Sequence, residues 1–343
     1  MWVLDDIKPL RELARKGLKL LDQTIAVFPA PTAYLPEIQQ PSGTRFGANA
    51  IFNGENKKFG AMLTYSINKP KTEEKDQSAK DDKSDDADKS KVNYKNIIVK
   101  IYDSNNILIR TLKEKTPEDS GVHRMYWRLD EKGVNNPSRT IRKSENEPGG
   151  VSVLPGDYKI VMQFGEAKDS TKITVKYDLR KTMPLAILKS KRALQKQVES
   201  KMELAYNAIK QVIDSKKIVD TYQNTLKEKK EKQYEALIKQ NDSISKTLDG
   251  LLDAMFGKED KRQGITATKD PSNLSYLYLA DEYISSLQTE PGKTEQILLA
   301  NANAKVDAVI AKINDFFKTD WAAYRTKMEA LKLSPFNEVK VLK

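Results

Sequence analysis

The sequence predicts a multidomain α+β protein in which an antiparallel Ig-like β-sandwich is followed by an up-and-down α-helical bundle. Between residues 59 and 180, apolar and polar residues alternate in several short segments, as in half-buried strands. From residue 181 onward, apolar residues recur every three or four positions, as on one face of a helix. The chain has 343 residues, a length that accommodates two or three domains.

Residues 1–58 show neither period, and we interpret them as a connecting segment. Trp2-Val3-Leu4 is typical of the end of a strand, and the run that begins at Ile7 predicts a short helix with Pro9 near its first position. Prolines between residues 28 and 42 favour an extended path over a surface, to which residues 21–34 contribute a short edge strand.

Residues 59–180 predict the sandwich. Strands are expected at 59–69 and 121–133, and hairpins at 96–113 and 154–178. The run Asp103-Ser104-Asn105-Asn106 is the expected turn of the first hairpin, because these residues tolerate left-handed backbone.

Three side chains in this region have a predicted structural role. Trp127 is expected in the core, and His123 on the same face of its strand is expected to be packed or hydrogen-bonded rather than catalytic. Tyr158 follows Pro155 and Gly156, and we expect its hydroxyl to bond back to the backbone as in a tyrosine corner. The run "EPGG" at 147–150 is interpreted as a turn.

An insertion at 69–93 is almost free of apolar residues, which predicts a disordered loop. Its acidic cluster lacks the glycine and the glutamate that a calcium loop needs at fixed positions. We therefore expect no metal there.

Residues 181–333 predict the bundle, and 334–343 a C-terminal tail. The first helix carries one apolar stripe at Leu194, Val198, Met202, Ala205, Ile209 and Val212. A second stripe, which ends before Gly257, consists of Leu237, Ile244, Leu248, Leu251 and Met255. A third helix is expected at 274–288, a fourth carries Leu299, Val306, Ile310, Ile313 and Phe317, and a last short helix is expected at 321–333. Such stripes are the expected core of a bundle.

The composition narrows the possible chemistry. The chain has no cysteine and one histidine, so neither a thiolate site nor a site with several histidine ligands can form within it. Its net charge is +11, but lysines alternate with acids along the helices, which is typical of a solvated face rather than of a nucleic-acid groove. No stretch is long and apolar enough to span a membrane.

No catalytic, cofactor or metal site is predicted. A glycosidase needs two carboxylates facing each other across a cleft, and no motif fixes such a pair. The acidic candidates are Asp5, Asp6, Asp130, Glu131, Asp281 and Glu282. No phosphate-binding or nucleophile motif is present either. The chain itself is therefore interpreted as non-catalytic.

An ordered set of segments resembles a known family. The segments are "WVLDDIKPLREL", "FPAPTAY", "FGAMLTYSI", "VKIYDSNNILIRTL", "GVHRMYWRLD", "LPGDYKIVMQFG" and "ITVKYDLR", followed by a helical tail. Together they resemble the C-terminal region of bacterial sortilin-like β-propeller proteins, which are often labelled glycosyl hydrolases with BNR repeats. In that family the first segment closes the last propeller blade, and an Ig-like module and helices follow.

The chain departs from this family in three places. It contains no Ser-x-Asp-x-Gly-x-Thr-Trp repeat, so the propeller is missing; Arg128 stands where the family usually has Asp; and the loop 69–93 is an insertion. The resemblance implies that the chain begins inside a final blade, that the protein is exported, and that a protein partner or a propeller portion docks on residues 1–58.

Three hypotheses on function remain. The first is a non-catalytic interaction or scaffold region, with an edge strand or the bundle surface as the contact. The second is the accessory part of a glycan-acting hydrolase whose active site lies in an absent propeller, with a glycan or cell-envelope component as ligand. The third, a basic helical protein that binds an anionic polymer, is disfavoured by the interleaved acids.

Overall fold

The computed structural model describes residues 6–36, 58–70, 94–142, 144–229, 232–259 and 271–331. The chain divides into two compact units, Met1–Val134 with Lys143–Arg192, and Asn135–Arg142 with Ala193–Lys343. The expected blade strand at Trp2-Val3-Leu4, nearly all of the insertion at 69–93 and the tail at 334–343 lie outside the described residues.

The first unit is built mainly from strands. They are β1 (Ile25–Val27), β2 (Ala33–Leu35), β3 (Ala61–Ile67), β4 (Asn96–Tyr102), β5 (Leu108–Lys115), β6 (Gly121–Trp127), β7 (Asp130–Lys132), β8 (Gly149–Ser152), β9 (Gly156–Phe164) and β10 (Ala167–Tyr177). A short helix, α1 (Lys8–Lys16), precedes them; Pro9 lies in its first turn, as expected, and the helix ends before Gly17.

The strands form three sheets. The first has the order β1-β3-β6, the second β2-β10-β9-β4-β5, and the third pairs β7 with β8. All pairs are antiparallel except β2 with β10, so the second sheet is mixed. The described strands within residues 59–180 pair with one another in the antiparallel sense, as predicted, and the parallel strand β2 comes from the preceding segment. The parallel pair arises because the chain leaves β1 in the first sheet and enters β2 in the second through the segment Phe28-Pro29-Ala30-Pro31-Thr32.

The two larger sheets share one hydrophobic core. Trp127 and Leu63 of the first sheet and Val99 and Ile160 of the second are all fully buried in it. The Tyr158 ring packs edge-on against Trp127, with ring centroids 5.5 Å apart. The Tyr158 hydroxyl donates to the Leu154 carbonyl oxygen over 2.6 Å, which confirms the predicted backbone bond.

The predicted hairpin turn between β4 and β5 is confirmed. The Asp103 carboxylate accepts hydrogen bonds from the backbone N–H groups of Asn105 and Ile107, and Asn106 has a φ of 61°. Asparagine adopts this left-handed conformation more easily than most residues do, which explains its place in the turn.

The strand expected at 121–133 is broken in two. Leu129 is fully buried yet has a left-handed φ of 59°, so the chain turns between β6 and β7. The Trp127 indole N–H donates to the Asp130 carbonyl oxygen across this bend. The alternation of apolar residues continues through the bend, which is why the sequence did not show the break.

The second unit is helical. Its helices are α2 (Leu185–Lys229), α3 (Glu235–Phe256), α4 (Asn273–Ser286), α5 (Lys293–Lys318) and α6 (Asp320–Glu329). The first eight residues of α2 belong to the first unit. Ion pairs and hydrogen bonds join Lys216 to Asp249 and Gln223 to Asp242, so α2 and α3 are antiparallel neighbours. α3 ends directly before Gly257, as the sequence predicted, and Gly257 has a φ of 76°.

Candidate functional site

A cleft of about 410 Å³ lies in the first unit where β6 ends. Its charged residues are Arg110 of β5, Arg128 directly after β6 and Asp130 of β7. The remaining lining residues are Phe59, Gly149, Gly150 and Ser152. This volume falls within the range of about 300–1,000 Å³ that is typical of ligand sites.

Arg110 is a charged residue on the core side of a sheet. Its register partner on β4 is the fully buried Ile101, and cross-strand partners share a face. Arg110 itself is 6% exposed. Its Nη1 donates to the Pro148 carbonyl oxygen, and its Nε is buried without a partner among the described residues. A guanidinium carries five N–H donors, so this one is incompletely satisfied.

Asp130 only partly balances this charge. The Arg110 Nη2 lies 3.6 Å from the Asp130 Oδ2, beyond ordinary hydrogen-bond distance. Burial raises the pKa of the Asp130 carboxyl above its ordinary value, and the nearby Arg110 and Arg128 oppose that shift without cancelling it. Two guanidinium groups thus face one carboxylate, and the cleft is electropositive.

Glycines allow strands to approach closely at the cleft. A Cβ atom on Gly149 would lie 2.6 Å from the Asp130 Oδ2, and one on Gly133 would collide with the Gly149 carbonyl oxygen. The "EPGG" run is therefore not a simple turn, because Gly149 and Gly150 are part of β8. Gly133 and Gly149 thus permit the close packing of β7 and β8, and the backbone of Gly149 and Gly150 borders the cleft.

The edge of the second sheet at β5 is covered by side chains. The Glu147 carboxylate accepts from the Thr111 N–H over 2.8 Å, and the Asn146 side-chain oxygen accepts from the Lys113 N–H over 3.1 Å. Arg110 fixes the same segment through Pro148. N–H groups that already donate to these side chains cannot donate to another strand, so this edge is protected.

The edges at β1 and β2 are poor templates as well. Each strand has three residues, and the Val27 N–H of β1 donates to the Asp169 carboxylate over 2.7 Å. Pro31 and Pro36 closely flank β2 and have no N–H to offer.

The edge at β6 differs from the other three. The Thr64 carbonyl oxygen of β3 accepts from the N–H of Phe28, which directly follows β1, so alternate residues of β3 bond toward β1 and the rest toward β6. It follows from the register that the backbone N–H and C=O groups of Val122, Arg124 and Tyr126 face away from β3. Within the parts of the chain that the structure describes, no strand pairs with this side of β6.

The surroundings of the β6 edge are basic and partly apolar. Arg124 and Arg128 are exposed, and the Lys58 ammonium lies 5.6 Å from the centre of the Tyr126 ring. Val122 is 46% exposed. We call β6 together with Lys58 and Arg128 the basic edge.

His123 is packed and hydrogen-bonded, as expected. Its Nε2 lies 2.9 Å from the Asp119 carbonyl oxygen, and its ring centre is 5.9 Å from that of Tyr65. No acid or nucleophile of a catalytic array contacts it within the described residues.

The candidate carboxylates that the structure describes have separate surroundings and form no facing pair. Asp5 lies outside the described residues, and Asp6 accepts from the Lys8 N–H at the start of α1. Asp130 borders the cleft, whereas its neighbour Glu131 pairs with Arg192.

The remaining acidic pair lies on α4. Asp281 is half-buried and Glu282 is exposed, in keeping with the expected divergence of adjacent helical side chains. Burial raises the pKa of the Asp281 carboxyl, and the negative charge of Glu199 adds to this effect. No described cluster of three or more acidic or histidine residues could hold a metal ion.

The surface of the helical unit carries paired charges. Lys201 pairs with Asp307, Lys216 with Asp249, and Arg139 with Asp253. The Arg139 guanidinium also donates to the Gly257 carbonyl oxygen, so it fixes the segment Asn135–Arg142 at the end of α3. These residues act in packing, and no continuous basic groove follows from them.

Sequence reasoning missed both arginines of the cleft. The available signal was Arg110, which occupies an inward position of a hairpin whose other strand presents Ile97, Val99 and Ile101 to the core. Arg128 stood out only as a departure from the Asp that is usual in the resembled family, and an exposed arginine is ordinary.

Comparison of the chain with models of protein families, with curated proteins and with solved structures gives no match. No helix in the described residues is long and apolar enough to cross a membrane.

Proposed function

We propose that this chain is a non-catalytic interaction module that binds an extended segment of a protein partner at the basic edge. The observation that carries the proposal is the outward backbone of β6: three N–H and C=O pairs, at Val122, Arg124 and Tyr126, have no strand partner in the described chain. An extended peptide can add a strand to such an edge, with backbone hydrogen bonds providing affinity.

The contrast between the edges supports this choice. β1 and β2 have three residues each, prolines flank β2, and side chains cap β5. These are common devices against unwanted pairing. β6 has seven residues and carries none of these caps in the described structure. Its single exposed charge, Arg124, discourages self-pairing of two copies and attracts an acidic partner.

The charges of the basic edge define the partner. Lys58, Arg124 and Arg128 are positive, so the complementary segment carries acidic residues. Val122, Arg124 and Tyr126 share one face of β6, so an acidic residue opposite Arg124 with apolar residues two positions before and after it complements all three.

The finer architecture belongs to the same proposal. An Ig-like sandwich is supported by one core shared between two sheets and by the Tyr158–Leu154 bond. An up-and-down bundle is supported by the antiparallel α2–α3 pair. The family resemblance adds that the module serves an exported, propeller-type assembly.

Amide hydrogen exchange of the full chain tests the proposal first. We expect slow exchange at the inward residues His123, Met125 and Trp127, and fast exchange at the outward residues Val122, Arg124 and Tyr126. Equal protection of both sets in the free chain would overturn the proposal, because another segment of the chain would then occupy the edge.

A matched pair of variants tests binding. A heptapeptide selected from a displayed random library on the full chain is synthesised, and its affinity is measured by fluorescence anisotropy. Arg124→Pro removes one outward N–H but leaves the β3 ladder intact, since proline is tolerated at solvent-facing edge positions. Arg124→Gln removes the charge and keeps the N–H.

We expect Arg124→Pro to weaken binding at least about tenfold and Arg124→Gln to weaken it less than about threefold. Thermal unfolding of both variants verifies that they fold. Equal affinities for the two variants would refute strand addition at β6.

A further inference from the structure

We propose that the cleft binds the C-terminal carboxylate of the added segment, which runs parallel to β6. This inference rests on the proposed function and names the chemical group that the partner presents. The structural basis is the position of Arg128, which directly follows the last residue of β6 and lines the cleft.

The charges of the cleft favour an anion. Arg110 has lost nearly all of its contact with water, and in exchange it bonds one backbone carbonyl and lies 3.6 Å from one carboxylate oxygen. Arg128 is exposed and forms no hydrogen bond or ion pair with another described residue. A guanidinium binds a carboxylate through two parallel N–H donors, and Arg128 has both available.

The direction of β6 decides the orientation of the ligand. A strand that runs parallel to β6 ends beside Arg128, whereas an antiparallel strand begins there and brings an amino group to a positive site. At about 3.3 Å per residue, the last four residues of a parallel segment extend back to the level of Arg124. The carboxylate then lies at the cleft, and the preceding residues meet the outward groups of Tyr126 and Arg124.

Phe59 indicates the nature of the terminal side chain. Its ring is 45% exposed and lines the same cleft as the two arginines. An apolar C-terminal residue can cover this ring while its carboxylate bonds Arg128. An acidic sugar also carries a carboxylate, but the free strand edge that leads to the cleft favours a peptide.

The experiment uses two defined peptides and one sugar on the full chain labelled with ¹⁵N. The peptides are Ac-Glu-Thr-Val-Leu as the free acid and as the C-terminal amide, and the sugar is digalacturonate. Binding is followed through the Arg128 side-chain Nε–H resonance and the backbone amides of Gly149, Gly150 and Tyr126.

We expect the free acid to shift all four resonances and the amide to bind at least about tenfold more weakly. Arg128→Gln removes that preference for the acid. Arg124→Gln, which loses an equal charge from β6 but lies outside the cleft, keeps it. Free acid and amide of equal affinity in the native chain would overturn the inference, as would digalacturonate binding as tightly as the peptide acid.

Failure of the inference is distinguishable from failure of the proposed function. If both peptides shift Tyr126 equally and leave Arg128 unchanged, the segment binds the edge without the cleft, and only the inference is wrong. If neither peptide shifts any of these resonances at millimolar concentration, the inference also fails, and the exchange pattern of β6 decides separately on the edge.

Discussion

Removal of one oxygen atom at Tyr158 tests how the first unit is held together. The side chain is 8% exposed, its hydroxyl donates to the Leu154 carbonyl oxygen over 2.6 Å, and its ring packs on Trp127. Tyr158→Phe keeps the ring and deletes only the hydrogen bond. The variant therefore separates the backbone tie from core packing.

The expected cost is about 1 kcal/mol in the free energy of unfolding, because a net intramolecular hydrogen bond contributes about 0.5–1.5 kcal/mol. Leu154 is half-buried, so water can replace part of the lost contact at its carbonyl. For a unit of roughly 150–250 residues, this loss lowers the melting temperature by about 2–4 °C. Tyr158→Leu also loses the aromatic pair with Trp127, for about 0.5–1.5 kcal/mol more.

The assay is differential scanning calorimetry of the full chain. Tyr102→Phe is the matched control, because Tyr102 is half-buried in the same unit and its hydroxyl makes no hydrogen bond to a described residue. A melting temperature for Tyr158→Phe equal to that of Tyr102→Phe would refute the reasoning, since the hydrogen bond would then contribute nothing.

Three further predictions concern stability. Gly257 has a left-handed φ at the end of α3, so Gly257→Ala destabilises the helical unit by about 1 kcal/mol in urea unfolding. Gly250 lies within α3 and has open space for a Cβ atom, so Gly250→Ala stabilises the unit by about 0.5–1 kcal/mol. Burial raises the pKa of Tyr65 and of Tyr324 from 10.0 to about 12. The folded chain therefore holds these two phenol protons more tightly than the unfolded chain, and the stability that this shift contributes is complete below about pH 10 and is lost as the pH rises towards 12. Spectroscopic titration of tyrosinate checks this. Burial also raises the pKa of the Asp281 carboxyl above 3.8, so the folded chain holds this proton more tightly than the unfolded chain. The free energy of unfolding therefore falls as the pH rises from 3.8 through the raised pKa. Asp281→Asn removes this fall, as measured by urea unfolding at acid and neutral pH.

The regular elements could be predicted from sequence where local chemistry decides them. The turn at Asp103–Asn106 follows from side chains that bond their own backbone, and the end of α3 follows from a glycine that accepts a positive φ. The stripe from Val198 to Val212 predicted the buried face of α2 because helical spacing alone determines which residues share a side.

Other features depend on contacts distant in sequence. The break at Leu129 has no glycine or proline to mark it, and a buried leucine with φ 59° persists only because the surrounding fold holds it. β3 is buried on both faces, so Thr64 and Ser66 lie inside where their alternation predicted a half-buried strand. The parallel pairing of β2 with β10 likewise joins segments about 140 residues apart, and no local pattern records it.

Arg110 alone does not distinguish a binding site from a protected edge. An inward-pointing charge on an edge strand is a known device against pairing, and its bond to the Pro148 carbonyl oxygen, beside the caps on β5, fits that role. That role does not involve Arg128, which lies after a different strand and contributes nothing to the covering of β5. Arg128 is therefore the residue that separates the two interpretations: its charge acts on Asp130 only at a distance, without a hydrogen bond or ion pair in the described chain, and at the end of an open strand it is placed to bind a carboxylate.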